Sequence, residues 1–157
     1  MINIFINKLS LIIVMEYLWL VFALLSALFA ALVAIFAKIG LQNIDTNTAT
    51  TIRAIVMALF LITVILVEGK LSQMPSILSD KRAMFYIVLS GVAGALSWLF
   101  YFIALRLGKV SKVVPIDRLS IVFAIILATL ILGEKISLKV GIGVALVAVG
   151  AILIALG

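Results

Sequence analysis

Residues 18–37 read LWLVFALLSALFAALVAIFA, twenty consecutive positions without a charge and with Ser26 as the one polar side chain. A helix rises about 1.5 Å per residue, so this stretch is about 30 Å long, the thickness of a bilayer's hydrocarbon core. Four similar stretches follow at 49–67, 83–105, 113–132 and 140–156. None alternates apolar and polar residues as a barrel strand does, and lipid admits only helices or closed barrels as spanning elements. The pattern predicts an all-α, polytopic membrane protein of five transmembrane helices. An odd number of spans puts the chain ends on opposite sides of the membrane. A second copy of such a unit tends to lie upside down, which is the arithmetic of inverted-repeat transporters.

Composition agrees. The chain of 157 residues is 67% hydrophobic and 11% charged, against about half and a quarter in soluble domains. The joins near 38–48 and 68–82 are too short to hold a soluble domain. The net charge of +6 is spread over the joins instead of one face, so membrane-facing Lys and Arg explain it and a nucleic-acid partner is not expected. With no cysteine and no histidine, disulfides, thiol chemistry and the commonest metal sites have no residues to build them; no metal and no cofactor is expected. No nucleophile–base pair or glycine-rich phosphate loop is present, so catalysis is not expected either. Residues 1–15 (MINIFINKLSLIIVM) lack a small-residue cleavage site and read as an upstream extension or interfacial segment, with Met15 as an alternative start. The membrane domain is expected over 16–157, as a multi-pass protein of the plasma (cytoplasmic) membrane.

Two spans carry charge. The apolar part of the second, 54–67, is fourteen residues, about 21 Å, some 9 Å short of the hydrocarbon. The missing length has to come from TNTATTIR, which draws Arg53 below the headgroups. The fourth span repeats this: 119–132 is again fourteen residues, drawing Asp117 and Arg118 inward. Both helices run in the same direction, so the three charges are expected at similar depth. Adjacent residues lie about 100° apart on a helix, which makes Arg53 a better partner for Asp117 than Arg118 is. The functional reading is a binding-site rim or a gate; the structural one is arginines snorkelling to phosphates beside a locally capped Asp117. Pro115 is expected in the first turn of the fourth span, where a missing amide is cheap. Glu134, in LGEKIS, reads as an interfacial acid near the start of the fifth helix, with proton coupling or substrate contact as the functional alternative.

The third span places Gly91, Gly94, Ser97, Trp98, Tyr101 and Leu105 at three- and four-residue steps. One stripe of small and aromatic side chains is expected, either lining a substrate pocket with Trp98 and Tyr101 or packing helices and anchoring the interface. Gly143, Val147 and Gly150 share a face of the fifth span and predict a helix contact, within the chain or in a dimer.

Several of these features together are similar to the EamA-type repeat of the drug/metabolite transporter superfamily. They are Ala104–Leu105 closing the third span, Pro115 in the fourth, Gly133–Glu134 after it, Gly143 and Gly150 in the fifth, and Arg53 early in the second. The resemblance covers about residues 16–157, one repeat where typical members carry two in about ten helices, as in half-size five-helix members. It implies secondary transport of a small-molecule metabolite through a cavity between two inverted repeats, and hence a homodimer, parallel or antiparallel. The four-helix multidrug relatives rely on an essential acid within their first helix; Glu16 here lies at the very edge of the span, so their proton-coupled cation export is not carried over. A lipid-carrier flippase, an accessory subunit and a non-transporting scaffold remain alternatives. The basic residues permit either orientation in the lipid bilayer. Six lie on the N-terminal side (Lys8, Lys70, Lys81, Arg82, Lys135, Lys139) and four opposite (Lys38, Arg106, Lys109, Lys112), a weak bias for a rule that counts Lys and Arg in short joins.

Overall fold

The computed structural model describes residues 2–157, with side-chain surroundings from residue 17 onward. Residues 2–15 of the expected extension belong to the same helix as the first span, and their side chains lie outside the residues whose surroundings are described. Among the described residues there is no strand. Helix α1 (Ile2–Gly40) contains the first candidate span, Tyr17–Gly40, and the others are Thr46–Val67, Lys81–Leu107, Val110–Leu132 and Leu138–Leu156. All five expected spans are present. Each reaches past the purely apolar run, because polar residues supply the caps and first turns that a helix needs.

Those caps are local and readable. Before α2 (Thr46–Val67), the Asp45 carboxylate accepts the Thr48 backbone N–H at 2.8 Å and the Thr48 hydroxyl at 2.9 Å. The join that follows turns through Gly69, at φ +68°, into a 3-10 turn (Leu71–Gln73) and the short helix α3 (Met74–Ser79). Asp80 then starts α4 (Lys81–Leu107) by accepting the N–H groups of Arg82 and Ala83, both at 3.0 Å. Gly108 ends α4, and α5 (Val110–Asp117), α6 (Ser120–Leu132) and α7 (Leu138–Leu156) complete the chain. Gly133, at φ +70°, closes α6 in the left-handed conformation that a side chain would strain.

The fourth span is broken. Helix α5 begins at Val110, so Pro115 is its sixth residue, inside the helix and not in the first turn as expected. Proline has no amide to give the carbonyl four residues back, that of Ser111. Just beyond it the ladder tightens: Arg118 N–H reaches the carbonyls of Val114 at 3.2 Å and Pro115 at 3.1 Å, and Leu119 N–H that of Ile116 at 3.0 Å. Helix α6 resumes at Ser120. The interruption lies about 12 Å into the span, at 1.5 Å per residue.

The chain divides into two units, Met1–Phe36 and Ala37–Gly157. The first is the body of α1. In the second, α4 is central, packed against α2, α3 and α5, while α7 packs on α5 and α6. Its core is small: Leu41, Phe102 and Leu105 are buried, with Ala37, Ala49, Trp98, Tyr101, Val110 and Val113 against them. A membrane protein faces lipid with its apolar surface, so its helices associate by close packing and hydrogen bonds instead of by escape from water. One such hydrogen-bonded clasp holds this core. Lys38, in the last turn of α1, donates from Nζ to the carbonyls of Leu105 (2.5 Å) and Gly108 (2.8 Å), orphan acceptors at the C-terminal end of α4.

Candidate functional site

Two clefts flank α4, and they take the expected site residues apart. Arg53 is the eighth residue of α2, about 10 Å along the helix from its start. Its guanidinium carbon sits 3.5 Å from the centroid of the Trp98 ring and 5.4 Å from that of Phe102. Trp98 is held edge-on to Phe102 and to Tyr101, with ring centroids 5.6 Å apart in each case. The half-buried Arg53 and Trp98 line a cleft of about 510 Å³ between α2 and α4, with Thr50, Met57, Gly91 and Gly94 among its walls. Thr50 is buried and donates its hydroxyl to the Thr46 carbonyl at 2.7 Å.

The second cleft, about 440 Å³, lies on the other side of α4 and is bordered by Ser97, Tyr101, Ala104, Lys112, Ile116 and Asp117. A third, about 350 Å³, holds Pro115 and Arg118 on the face of α5 turned toward Val147 and Gly150 of α7. The single stripe expected on the third span therefore divides. Gly91, Gly94 and Trp98 (steps of three and four) face α2, while Ser97, Tyr101 and Ala104 (steps of four and three) face α5. Adjacent positions 97 and 98 point about 100° apart, enough to send them into different clefts.

The expected pairing of Arg53 with Asp117 is not formed. Among the described residues the one ion pair is Lys70–Glu68, at 2.7 Å, and Arg53 and Asp117 line different clefts. The indole face offers the guanidinium an electrostatic partner that needs no second buried charge. Asp117 and Arg118 diverge because adjacent helical positions point about 100° apart, which sends them into different clefts. Glu134 is exposed in the turn after α6 and borders none of the three clefts. The face expected to make a helix contact is turned toward α5 at Val147 and Gly150, across the third cleft, while Gly143 is exposed; a Cβ at either glycine would meet no atom within 4 Å. Among the described residues, no three acidic side chains converge where they could hold a metal ion.

The clasp by Lys38 was missed from sequence, where it counted only as a charge in a join. A lysine in the last turn of a helix is a C-terminal cap signal, but its acceptors here belong to a different helix. The broken helix, a cation without an acidic partner among the described residues, and the open glycine face of α4 together make a set of polar, partly enclosed features inside a membrane domain. Transporters place such features where solute crosses, since irregular backbone and charge at membrane depth are tolerated only against protein or a water-filled cavity.

Comparison with known proteins points the same way. The EamA-like transporter family matches residues 17–156. A Sinorhizobium protein named as an uncharacterized transporter is 44% identical over 137 residues, which are 87% of this chain and 96% of that protein. An uncharacterized protein of Methanocaldococcus jannaschii is 27% identical over 137 residues, with the same coverage. Since 137 residues make 96% of each relative, both are about 143 residues long (137/0.96), the length of one five-helix unit. No solved structure matches the chain.

Proposed function

Because the chain belongs to the EamA-like transporter family, we propose that it works as half of a secondary transporter, carrying a small metabolite across the cytoplasmic membrane. A second copy, inserted in the opposite orientation, completes the cavity. The cargo is moved without any bond being made or broken.

The observation that carries this reading is the unfinished wall around Arg53. A Cβ at Gly91 or Gly94, on the face that borders the cleft, would meet no atom within 4 Å. Small residues at that spacing let helices approach closely, and here no helix of the protomer uses them. Gly143 on α7 is exposed and open in the same way. An inverted copy gives both faces something to pack against and turns an open cleft into an enclosed path. The near-balance of basic residues on the two sides supports dual insertion.

Two measurements test the reading. The sequence has no cysteine, so one cysteine introduced at Ser72 or at Ser111 reports the side on which it lies. Labelling intact cells with an impermeant maleimide should modify part of the population at each site. Full labelling at one site and none at the other would sink the antiparallel assembly. In proteoliposomes, saturable counterflow of at least one soluble metabolite is expected; transbilayer movement of a labelled lipid without it would replace this reading with a flippase.

A further inference from the structure

We propose that the α2–α4 cleft selects a soluble monoanion with an apolar body, a carboxylate being the simplest case, and that Arg53 binds its charge. This rests on the transport reading and names the chemical class of the cargo.

The charges decide the sign. Among the described residues Arg53 has no acidic partner, and each described carboxylate is accounted for elsewhere. Asp45 and Asp80 cap helices, Glu68 pairs with Lys70, Asp117 borders the opposite cleft, and Glu134 lies in an exposed turn. The cleft thus holds one uncompensated positive charge in apolar surroundings, and an anion is what it lacks. One cation matches one negative charge; a dianion would bring a second with nothing to meet it.

The donors decide how that charge is held. With its guanidinium over the Trp98 ring, Arg53 presents one flat face to the indole, while its N–H groups lie in the plane and donate to no acceptor among the described residues. A planar carboxylate accepts two of them in parallel, the strongest geometry available to this pair. The hydroxyls of Thr50 and Thr51 already donate to the carbonyls of Thr46 and Asn47, so they offer a ligand lone pairs and no protons. A polyhydroxylated neutral ligand would find too few partners for its hydroxyls here. The rest of the wall is apolar: Ala54, Met57, Leu61, Ala95 and Leu99. At about 510 Å³ the cleft lies within the range of small-molecule sites.

The test uses the full-length protein in dodecyl maltoside, which carries no phosphate. Trp19 and Trp98 are the two tryptophans, so Trp19→Phe leaves Trp98 as the reporter. Three probes share one body and differ in charge: phenylacetate, 2-phenylethylamine and 2-phenylethanol. Phenylacetate should change Trp98 emission saturably at concentrations at least tenfold below those the other two require. Arg53→Lys, which keeps the charge but not the plane, should weaken the phenylacetate response several-fold and keep the order. Arg53→Gln should abolish the preference, while Lys139→Gln, an exposed lysine of α7, should not. Equal responses of the parent protein to all three probes, or none to phenylacetate, would overturn the proposal without reliance on any Arg53 variant folding. Phosphatidylglycerol added to the micelles separates a lipid headgroup from a soluble ligand. A lipid response that phenylacetate cannot displace would assign Arg53 to the headgroup and overturn it also. Anion-selective binding with no solute counterflow would retire transport and keep the site. Counterflow restricted to neutral or cationic solutes would do the reverse.

Discussion

Replacing Lys38 with methionine keeps the length and apolar stem of the side chain and removes the charged donor. Two hydrogen bonds are lost at once, to the carbonyls of Leu105 and Gly108, 67 and 70 residues away along the chain. Nearby amides do not take over, because Gly108 N–H already reaches Ala104 and the N–H groups of Lys112 and Val113 reach Lys109. Hydrogen bonds to charged groups contribute about 1.5–3 kcal/mol each, and a cation at a helix C-terminus about 0.3–2 kcal/mol. The two figures overlap, since the carbonyls are the negative end of that dipole. Releasing a lysine side chain returns up to about 2 kcal/mol of rotamer entropy. The net expectation for Lys38→Met is a loss of about 2–4 kcal/mol. Equilibrium unfolding in dodecyl maltoside with increasing dodecyl sulfate, followed by tryptophan emission, measures it. Lys109→Met is the control: Lys109 is exposed and makes no side-chain hydrogen bond among the described residues, so its change should stay within about 0.5 kcal/mol. Lys38→Arg should fall between the two. If Lys38→Met also stays within about 0.5 kcal/mol, the two carbonyls are satisfied some other way and the clasp does not hold α4.

Gly108→Ala should cost about 1–3 kcal/mol in the same assay, because a Cβ there would meet Val113 Cγ2 at 2.8 Å and the Ala104 carbonyl at 3.2 Å; an unchanged midpoint would refute the tight turn. Arg53→Leu and Asp117→Leu, which line different clefts, should combine additively within about 0.5 kcal/mol; a coupling above about 1 kcal/mol would restore the pair. Hydrogen bonds from the Thr48 backbone N–H and then its hydroxyl hold the Asp45 carboxyl below the usual carboxylate range. A depressed carboxylate stabilises the fold fully above its unfolded value, about pH 4, and loses that contribution as pH falls through the lower folded value. Melting temperature measured down to pH 2.5 should therefore fall more steeply in the parent protein than in Asp45→Asn; parallel curves would contradict the cap.

Hydropathy by itself determined the five spans and their order, because crossing a membrane is a property of each segment alone: enough apolar residues and a backbone that satisfies itself. The caps at Asp45 and Asp80 and the stop at Gly133 were not read from the sequence, although a cap acts within four residues of its own position and is local in the same sense. Position along the helix was legible as well: Arg53 lies about a third of the way into α2. Direction around the helix axis was not. A difference of one position turns a side chain by about 100°, and only the packing of α4 against α2 on one side and α5 on the other showed that Ser97 and Trp98 serve separate clefts. The same rotation separated Asp117 from Arg118 and left Arg53 against an indole face instead of a carboxylate. The break after Pro115 needed the whole span in place, because a proline near a helix start and one inside a helix look alike until the start is known. Lys38 found its acceptors on a helix whose end lies 67 residues away. Contacts of that range depend on how the chain returns upon itself, and only the tertiary structure contains that.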